Sequence, residues 1–301
     1  MDVKQAAKAL IDLKPTKNFF VGIDSDGCVF DSMGIKHREC FCPWMIGFFG
    51  LQPVAQAARQ CKDFADLFSK TRGANRHITM VRILTELLPS HPMTKERNFS
   101  VPQFKHYCDW VNNPESLLSN QGLQKAVSEA TGQAKEELQH ALNWSYRVNE
   151  SVNDIVKGIP PFPNVIESLE KINKFADAIV CSSTPYEALQ REWEENDMAK
   201  YVTVIAGQEM GKKAEHLDFA TSGKYDKNKV LMIGDAPGDC NAAKANGVLF
   251  YPIVPGDEPK SWKRFHDEAF DKFLNGEYAG QYEAGRIAEF DAKLPEKPSW
   301  L

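Results

Sequence analysis

The chain has 301 residues, of which 43% are hydrophobic and 26% are charged, and its formal net charge at pH 7 is −5. These values are typical of a globular protein with one large domain or two ordinary ones. The acidic balance and the absence of basic runs exclude a surface built to bind nucleic acid. No apolar run approaches the ~18 residues of a membrane helix, and the N-terminal segment lacks the apolar centre of a signal peptide.

The cysteines are odd in number, scattered and without CxxC spacing. They are Cys28, Cys40, Cys42, Cys61, Cys108, Cys181 and Cys240. We interpret them as free thiols in a reducing compartment, because disulfide frameworks and zinc sites use paired cysteines at regular spacing. The expected location is the cytoplasm.

Short apolar runs alternate with helical patterns along the chain. The runs that predict strands are residues 18–23, 178–181, 201–206, 230–233 and 248–254. The patterns that predict helices are residues 164–175, 186–197, 213–222 and 237–246, with Asn164 as an N-cap and Gly247 just beyond a C-terminus. Continuous apolar runs separated by helices favour an α/β fold with a buried parallel sheet.

Residues 33–154 interrupt this rhythm. They contain helical stretches such as residues 80–88 and 134–148, separated by proline-containing loops at 89–93 and 113–114. We therefore predict an α/β core from residues 1–32 and 155–301, with a helical extension from about residue 260. Residues 33–154 are predicted to be an all-α insertion placed after the first strand.

Polar side chains follow several of the predicted strands. They are Asp24 and Asp26 after the first strand, Ser182 and Ser183 after the second, and Asp235 and Asp239 after a later one, with Lys212 and Lys213 at the start of a helix. Because the carboxyl ends of parallel strands meet at one edge of a sheet, we expect these groups to share one crevice. Several aspartates suit Mg²⁺, which prefers oxygen ligands. One aspartate could attack phosphorus, a second could transfer protons, and the hydroxyl and ammonium groups could stabilise the transferring phosphoryl oxygens.

The order of these groups resembles a known family. The segments DSDGCVFDS, IVCSSTP, MGKK and IGDAPGD are similar to the four motifs of the haloacid dehalogenase (HAD) superfamily, over residues 19–31 and 155–250. The resemblance implies a Rossmann-like, doubly wound core with an inserted cap domain. It also implies that Asp24 is the nucleophile, that Asp26 is the general acid and base, and that Mg²⁺ is held by Asp24, Asp235 and the main-chain carbonyl of Asp26. Asp239 would be a nearby or water-bridged ligand.

Two positions in this resemblance have alternatives. In the second motif Ser182 fits best, but Ser183 is adjacent, and one alignment places Cys181 there. In the third motif we favour Lys212, because Leu217 follows it as an apolar partner, and Lys213 is the alternative.

A polar, basic segment at residues 69–77 of the insertion contains Arg72 and Arg76. It is either a solvated connection between helices or a substrate loop whose arginines bind phosphate or carboxylate in a bidentate manner.

These features predict a Mg²⁺-dependent phosphatase that hydrolyses a small phosphate monoester through an aspartyl-phosphate. Its expected partner is a small phosphorylated metabolite, without nucleic acid or membrane, and the oligomeric state is open. One alternative is a phosphomutase of a sugar phosphate that uses the same aspartyl-phosphate chemistry. A less favoured one is a non-catalytic binding protein.

Overall fold

The computed structural model describes residues 3–301, which divide into two compact units. The first comprises residues up to Met33 and Gly158–Leu294, and the second comprises Gly34–Lys157 and Pro295–Leu301. The predicted boundaries, 1–32 with 155–301 and 33–154, differ from this division by a few residues at the junctions. They differ also at the C-terminus, where the last segment belongs to the second unit.

The first unit contains a parallel sheet. Its strands are β1 (Phe19–Ile23), β2 (Ala176–Cys181), β3 (Val204–Ala206), β4 (Val230–Gly234) and β5 (Leu249–Pro252). Their order is β3-β2-β1-β4-β5, and all neighbouring pairs are parallel. The prediction of a Rossmann-like, doubly wound α/β core is therefore confirmed. Since the chain continues to one side of β1 through β2 and to the other side through β4, the carboxyl ends of β1 and β4 form a switch point where such sheets bind ligands.

Helices cover both faces of this sheet. They are Val3–Ala6, Lys8–Ile11, Val165–Phe175, Tyr186–Glu195, Lys213–Thr221, Pro237–Asn246, Glu258–Arg264, Phe270–Leu274 and Gln281–Ala292, with a π-helical segment at Phe265–Ala269. Side chains of β1 alternate between the two faces, as the two-residue period of a strand requires. Val21 and Ile23 pack with Leu169 and Trp193 on one face, whereas Phe20 packs on the opposite face.

The edge strand β5 is protected by side chains from the C-terminal helical region. Glu283 accepts a hydrogen bond from the amide of Phe250 at 2.9 Å, and the Tyr278 hydroxyl donates to the carbonyl of Phe250 at 2.7 Å. Both main-chain groups of one edge residue are thereby satisfied, so this position offers no free main-chain hydrogen-bonding groups to another chain.

The second unit is helical. Its helices are Cys42–Phe48, Ala55–Leu67, Arg76–Arg82, Leu88–Ser90, Pro92–Glu96, Lys105–Asn112, Asn120–Glu129 and Gly132–Ile155, with π-helical segments at Lys36–Phe41 and Ile83–Leu87. The short helix Ser32–Ile35 contains the first junction between the units. Within residues 3–301, no helix has the length and apolar character needed to cross a membrane.

Two local expectations differ from the structure. The predicted loop at 89–93 is mostly helical, because Pro89 and Pro92 occupy first turns, where proline's missing N–H costs nothing. Asn164 precedes its helix with a left-handed backbone (φ 70°), but its side chain makes no capping hydrogen bond. Gly247 follows the helix Pro237–Asn246 in the left-handed conformation, as predicted.

A buried histidine makes the stability of the protein sensitive to pH. The Nδ1 atom of His77 lies 2.8 Å from the Tyr107 hydroxyl, and burial, with smaller contributions from Arg76 and Lys62, lowers the pKa of His77 to about 3. In the unfolded chain His77 takes up a proton near pH 6.5, whereas in the folded protein it does not. The contribution of His77 to the free energy of unfolding is therefore fully present above pH 6.5 and is lost as the pH falls towards 3.

We expect the free energy of unfolding to fall by about 1.4 kcal/mol per pH unit from this group once the pH is well below 6.5. The difference is measured by urea unfolding of the wild type and of His77→Gln at pH 7, 6 and 5. The variant should show the shallower dependence, and equal slopes would contradict this role for His77.

Candidate active site

Three buried carboxylates meet at the switch point of the sheet. Asp24 directly follows β1 and Asp235 directly follows β4, and these strands pair in a register that places Ile23 opposite Ile233. Asp239 lies in the first turn of the helix Pro237–Asn246. One oxygen from each carboxylate lies within 4.8 Å of the others, so the three could bind one metal ion.

Asp239 is held in place by the loop that precedes its helix. Its Oδ2 atom accepts a hydrogen bond from the amide of Ala236 at 3.0 Å. A Cβ atom at Gly234 would overlap the Asp239 carboxylate, so only glycine at this position permits the observed approach. The end of β4 therefore serves two functions, since it carries Asp235 and leaves space for Asp239.

In the structure Lys213, and not Lys212, contacts these carboxylates. This corrects the preference for Lys212 that the sequence suggested. The Nζ atom of Lys213 lies 2.8 Å from Asp24 Oδ2 and 2.6 Å from Asp239 Oδ1. Lys212 is exposed and precedes the helix Lys213–Thr221 with an extended backbone. Lys213 lies four residues before the buried Leu217 and thus on the same helix face, whereas Lys212 does not share that face.

The charges of the cluster are strongly coupled. Burial raises the pKa of Asp24, Lys213 lowers it, and Asp239 and Asp235 raise it further. For Lys213, burial lowers the pKa, but the attraction of Asp239 and Asp24 outweighs this and leaves the pKa above its usual value. Lys213 is thus a permanent cation at neutral pH. Its single positive charge faces three carboxylates, and a divalent cation would neutralise the remaining negative charge.

The donor set fits a hard cation. Asp24 Oδ1 is buried and has no hydrogen-bond partner among residues 3–301, which leaves its lone pairs available to a ligand. Carboxylate and main-chain carbonyl oxygens are the ligands that Mg²⁺ prefers. Asp239 already binds Lys213 and the Ala236 amide, so it is less available as a direct ligand than Asp24.

Two hydroxyl groups contact Asp26. The Ser32 hydroxyl donates to Asp26 Oδ1, and the Thr184 hydroxyl lies 3.4 Å from Asp26 Oδ2. Neither contact was anticipated from the sequence, although both hydroxyls lie within the segments DSDGCVFDS and IVCSSTP. They contact the carboxyl group of Asp26 from two separate segments of the chain, one after β1 and one after β2.

The structure distinguishes the two serines that follow β2. Ser182 is buried, and its hydroxyl accepts a hydrogen bond from the Thr184 amide at 3.2 Å, whereas Ser183 is exposed. Since β2 is the direct neighbour of β1, Ser182 lies at the same end of the sheet as Asp24.

Arg72 and Arg76 belong to the helical unit and are engaged within it. Arg72 is buried and donates to the carbonyl of Leu67 at 2.8 Å. Arg76 donates to the Asn149 side chain at 2.7 Å, and its guanidinium lies 4.7 Å from the centre of the Phe41 ring. These contacts stabilise the helical unit, and the role of the two arginines in binding substrate stays a prediction.

The sequence matches a family model over residues 104–253, which is described as haloacid dehalogenase-like hydrolase. This range includes Ser182, Lys213, Asp235 and Asp239 but not Asp24 or Asp26. No curated protein matches the chain.

Solved structures are similar to the chain at low sequence identity. A haloacid dehalogenase-like family hydrolase from Streptococcus pneumoniae is 14% identical and covers 84% of this chain and 93% of its own, with a TM-score of 0.42. A protein named as a beta-phosphoglucomutase from Bacteroides vulgatus is 17% identical and covers 91% of this chain and 97% of its own, with a TM-score of 0.46. These similarities carry no information about the substrate.

Replacing Lys213 with methionine should destabilise the protein in the absence of divalent cations. The change leaves buried carboxylates without their counter-charge, and removing one partner of a buried ion pair costs about 3 kcal/mol or more. Urea unfolding in a chelator measures the effect, and Lys212→Met is the matched control because its side chain is exposed. Equal stability of the two variants would contradict the assignment of Lys213.

Proposed function

We propose that this protein is a phosphatase that hydrolyses a small phosphate monoester in the presence of Mg²⁺, because residues 104–253 match the model of the haloacid dehalogenase-like hydrolases. The observation that supports this most directly is the contact of Lys213 with Asp24 at 2.8 Å, beside Asp235 and Asp239. It joins groups from three separate segments of the chain around the carboxylate proposed as the nucleophile.

In the first step, a carboxylate oxygen of Asp24 attacks the phosphorus atom. A bond forms between Asp24 and phosphorus while the bond from phosphorus to the ester oxygen breaks. Asp26 donates a proton to the departing oxygen, so the alcohol leaves as a neutral molecule. Ser32 and Thr184 orient the Asp26 carboxyl group for this transfer.

In the second step, Asp26, now deprotonated, removes a proton from water. The water oxygen attacks the phosphorus of the aspartyl-phosphate, and inorganic phosphate and the free Asp24 carboxylate result. In this proposal the Ser182 hydroxyl and the Lys213 ammonium donate hydrogen bonds to the phosphoryl oxygens, whose negative charge must be stabilised in both steps.

The proposed cofactor is Mg²⁺. Asp24, Asp235 and the main-chain carbonyl of Asp26 would hold it, and Asp239 would contribute as a nearby or water-bridged ligand. When bound, the ion offsets the repulsion between carboxylates and phosphate, so that Asp24 stays ionised. We infer a reducing compartment such as the cytoplasm, because all seven cysteines are free thiols.

Asp24→Asn should abolish phosphatase activity, since the amide is a poor nucleophile and a weaker metal ligand. We expect a loss of about a thousandfold or more in kcat. Phosphate release is measured on a panel of sugar phosphates, phosphoglycolate and nucleoside monophosphates, with Mg²⁺ and with a chelator. Chelation should suppress the wild-type activity and leave the variant unchanged.

Retained phosphate release by Asp24→Asn would contradict the assigned nucleophile. Formation of an isomeric sugar phosphate without release of phosphate would establish the alternative, a phosphomutase. Absence of either reaction across the panel would favour a binding role.

Asp26→Asn should affect substrates according to their leaving groups. An alkyl phosphate needs a proton on its departing oxygen, so we expect its turnover to fall about a hundredfold or more. p-Nitrophenyl phosphate releases a stable anion, so formation of the aspartyl-phosphate should be retained. Rapid-quench measurement of the released alcohol gives the first step for each substrate, and an equal loss for both substrates would contradict the role of Asp26 as a general acid.

A further inference from the structure

The loop Asp24–Phe30 carries both proposed catalytic aspartates and must hold them in fixed positions. It begins at β1, where the Asp24 amide donates to the carbonyl of Ile233 at 2.9 Å. Gly27 adopts a positive φ of 79°, and its amide donates to Phe30 at 2.9 Å within the loop. The first contact attaches the start of the loop to β4, and the second folds the loop on itself.

Two buried tryptophans attach the loop to separate helices. Trp193, on the helix Tyr186–Glu195, donates from its indole nitrogen to the Ser25 hydroxyl at 3.0 Å. Trp262, on the helix Glu258–Arg264, donates to the carbonyl of Cys28 at 2.8 Å. Both indoles are fully buried, as is Ser25. Ser25, the first of these acceptors, lies between the two aspartates in the sequence, and Cys28, the second, lies two residues after Asp26.

The helix that carries Trp262 is itself anchored to the sheet. The hydroxyl of Tyr251, on β5, donates to the carbonyl of Ser261 at 2.6 Å, and the Ser261 hydroxyl accepts from the amide of Val254 at 3.0 Å. Trp262 also packs edge-on against Phe265, with ring centres 5.7 Å apart. Hydrogen bonds and aromatic packing thus hold the helix that presents the Trp262 donor to the loop.

These hydrogen bonds are not a general consequence of burying tryptophan. The indole nitrogen of Trp144 is also fully buried, yet it has no hydrogen-bond partner among residues 3–301. Trp262 lies beyond residues 104–253, so its contact is a feature of this chain's C-terminal helical region and not of the matched family segment.

We propose that Trp193 and Trp262 are positioning residues that hold the loop Asp24–Phe30 in the geometry required for metal binding and phosphoryl transfer. The chemical consequence of this positioning rests on the proposed function, whereas the positioning itself rests on the two hydrogen bonds. If the loop shifted, Asp24 would no longer lie within 4.8 Å of Asp235 and Asp239, the spacing that would let the three bind one ion.

The test replaces the indole donor while keeping an apolar ring. Trp262→Phe removes the hydrogen bond to Cys28, and Phe265→Leu is the matched control, because it weakens packing in the same cluster without a bond to the loop. Trp193→Phe is the second variant should Trp262→Phe fail to fold. Urea unfolding measures the stability of each variant, so that the loss of packing in Trp262→Phe can be compared with that in Phe265→Leu.

The first readout is hydrogen exchange of the loop in the metal-free protein. The Gly27 and Val29 amides, which bond to Phe30 and Ser25 respectively, should exchange about fivefold faster in Trp262→Phe than in Phe265→Leu. The second readout is direct Mg²⁺ titration by calorimetry, in which Trp262→Phe should bind about fivefold more weakly and Phe265→Leu should match the wild type.

The third readout is turnover of the best phosphate monoester, with a reduced kcat and an unchanged KM expected for Trp262→Phe. Equal loop exchange and equal Mg²⁺ affinity in Trp262→Phe and Phe265→Leu would overturn the proposal and leave the indole a packing residue. If the wild type binds no Mg²⁺, the proposed function fails, and the exchange measurement still decides whether the indoles hold the loop.

Discussion

The ammonium group of Lys213, placed between the carboxylates of Asp24 and Asp239, is the interaction on which the site depends. Three carboxylates buried within 4.8 Å would repel one another strongly without a cation among them. This repulsion arises because β1 and β4 end side by side and an acid follows each strand. The helix that begins at Lys213 resolves part of it, and the remaining negative charge is what a divalent cation would bind.

Much of the first unit could be predicted from its sequence, because strands buried on both faces leave continuous apolar runs and their polar ends stand out. The positions of Asp24, Asp26 and Asp235 at strand ends followed from that pattern alone. The lysine could not be chosen in the same way, since Lys212 and Lys213 are adjacent and the choice depends on which residue begins the helix. The backbone of Lys212 is extended, so its side chain leaves the face that Leu217 defines.

Other contacts have no local signal at all. Trp262 and Cys28 are separated by more than two hundred residues, and only the packing of the C-terminal helices brings them together. The same holds for residues 295–301, which have no periodic pattern and yet belong to the helical unit, where Trp300 packs near Phe64 and His91. The sequence indicated the positions of the acids that directly follow strands, but it carried no signal for side chains that contact distant segments of the chain.

The proposed function depends on the phosphorylation of Asp24 during turnover. The most direct measurement is rapid acid quenching of the wild type with a phosphate monoester and Mg²⁺, followed by borohydride reduction and peptide mass spectrometry. Because borohydride converts an aspartyl-phosphate to homoserine, we expect residue 24 alone to be converted, and only when substrate and Mg²⁺ are both present. Conversion of another aspartate, or turnover without any converted residue, would contradict it.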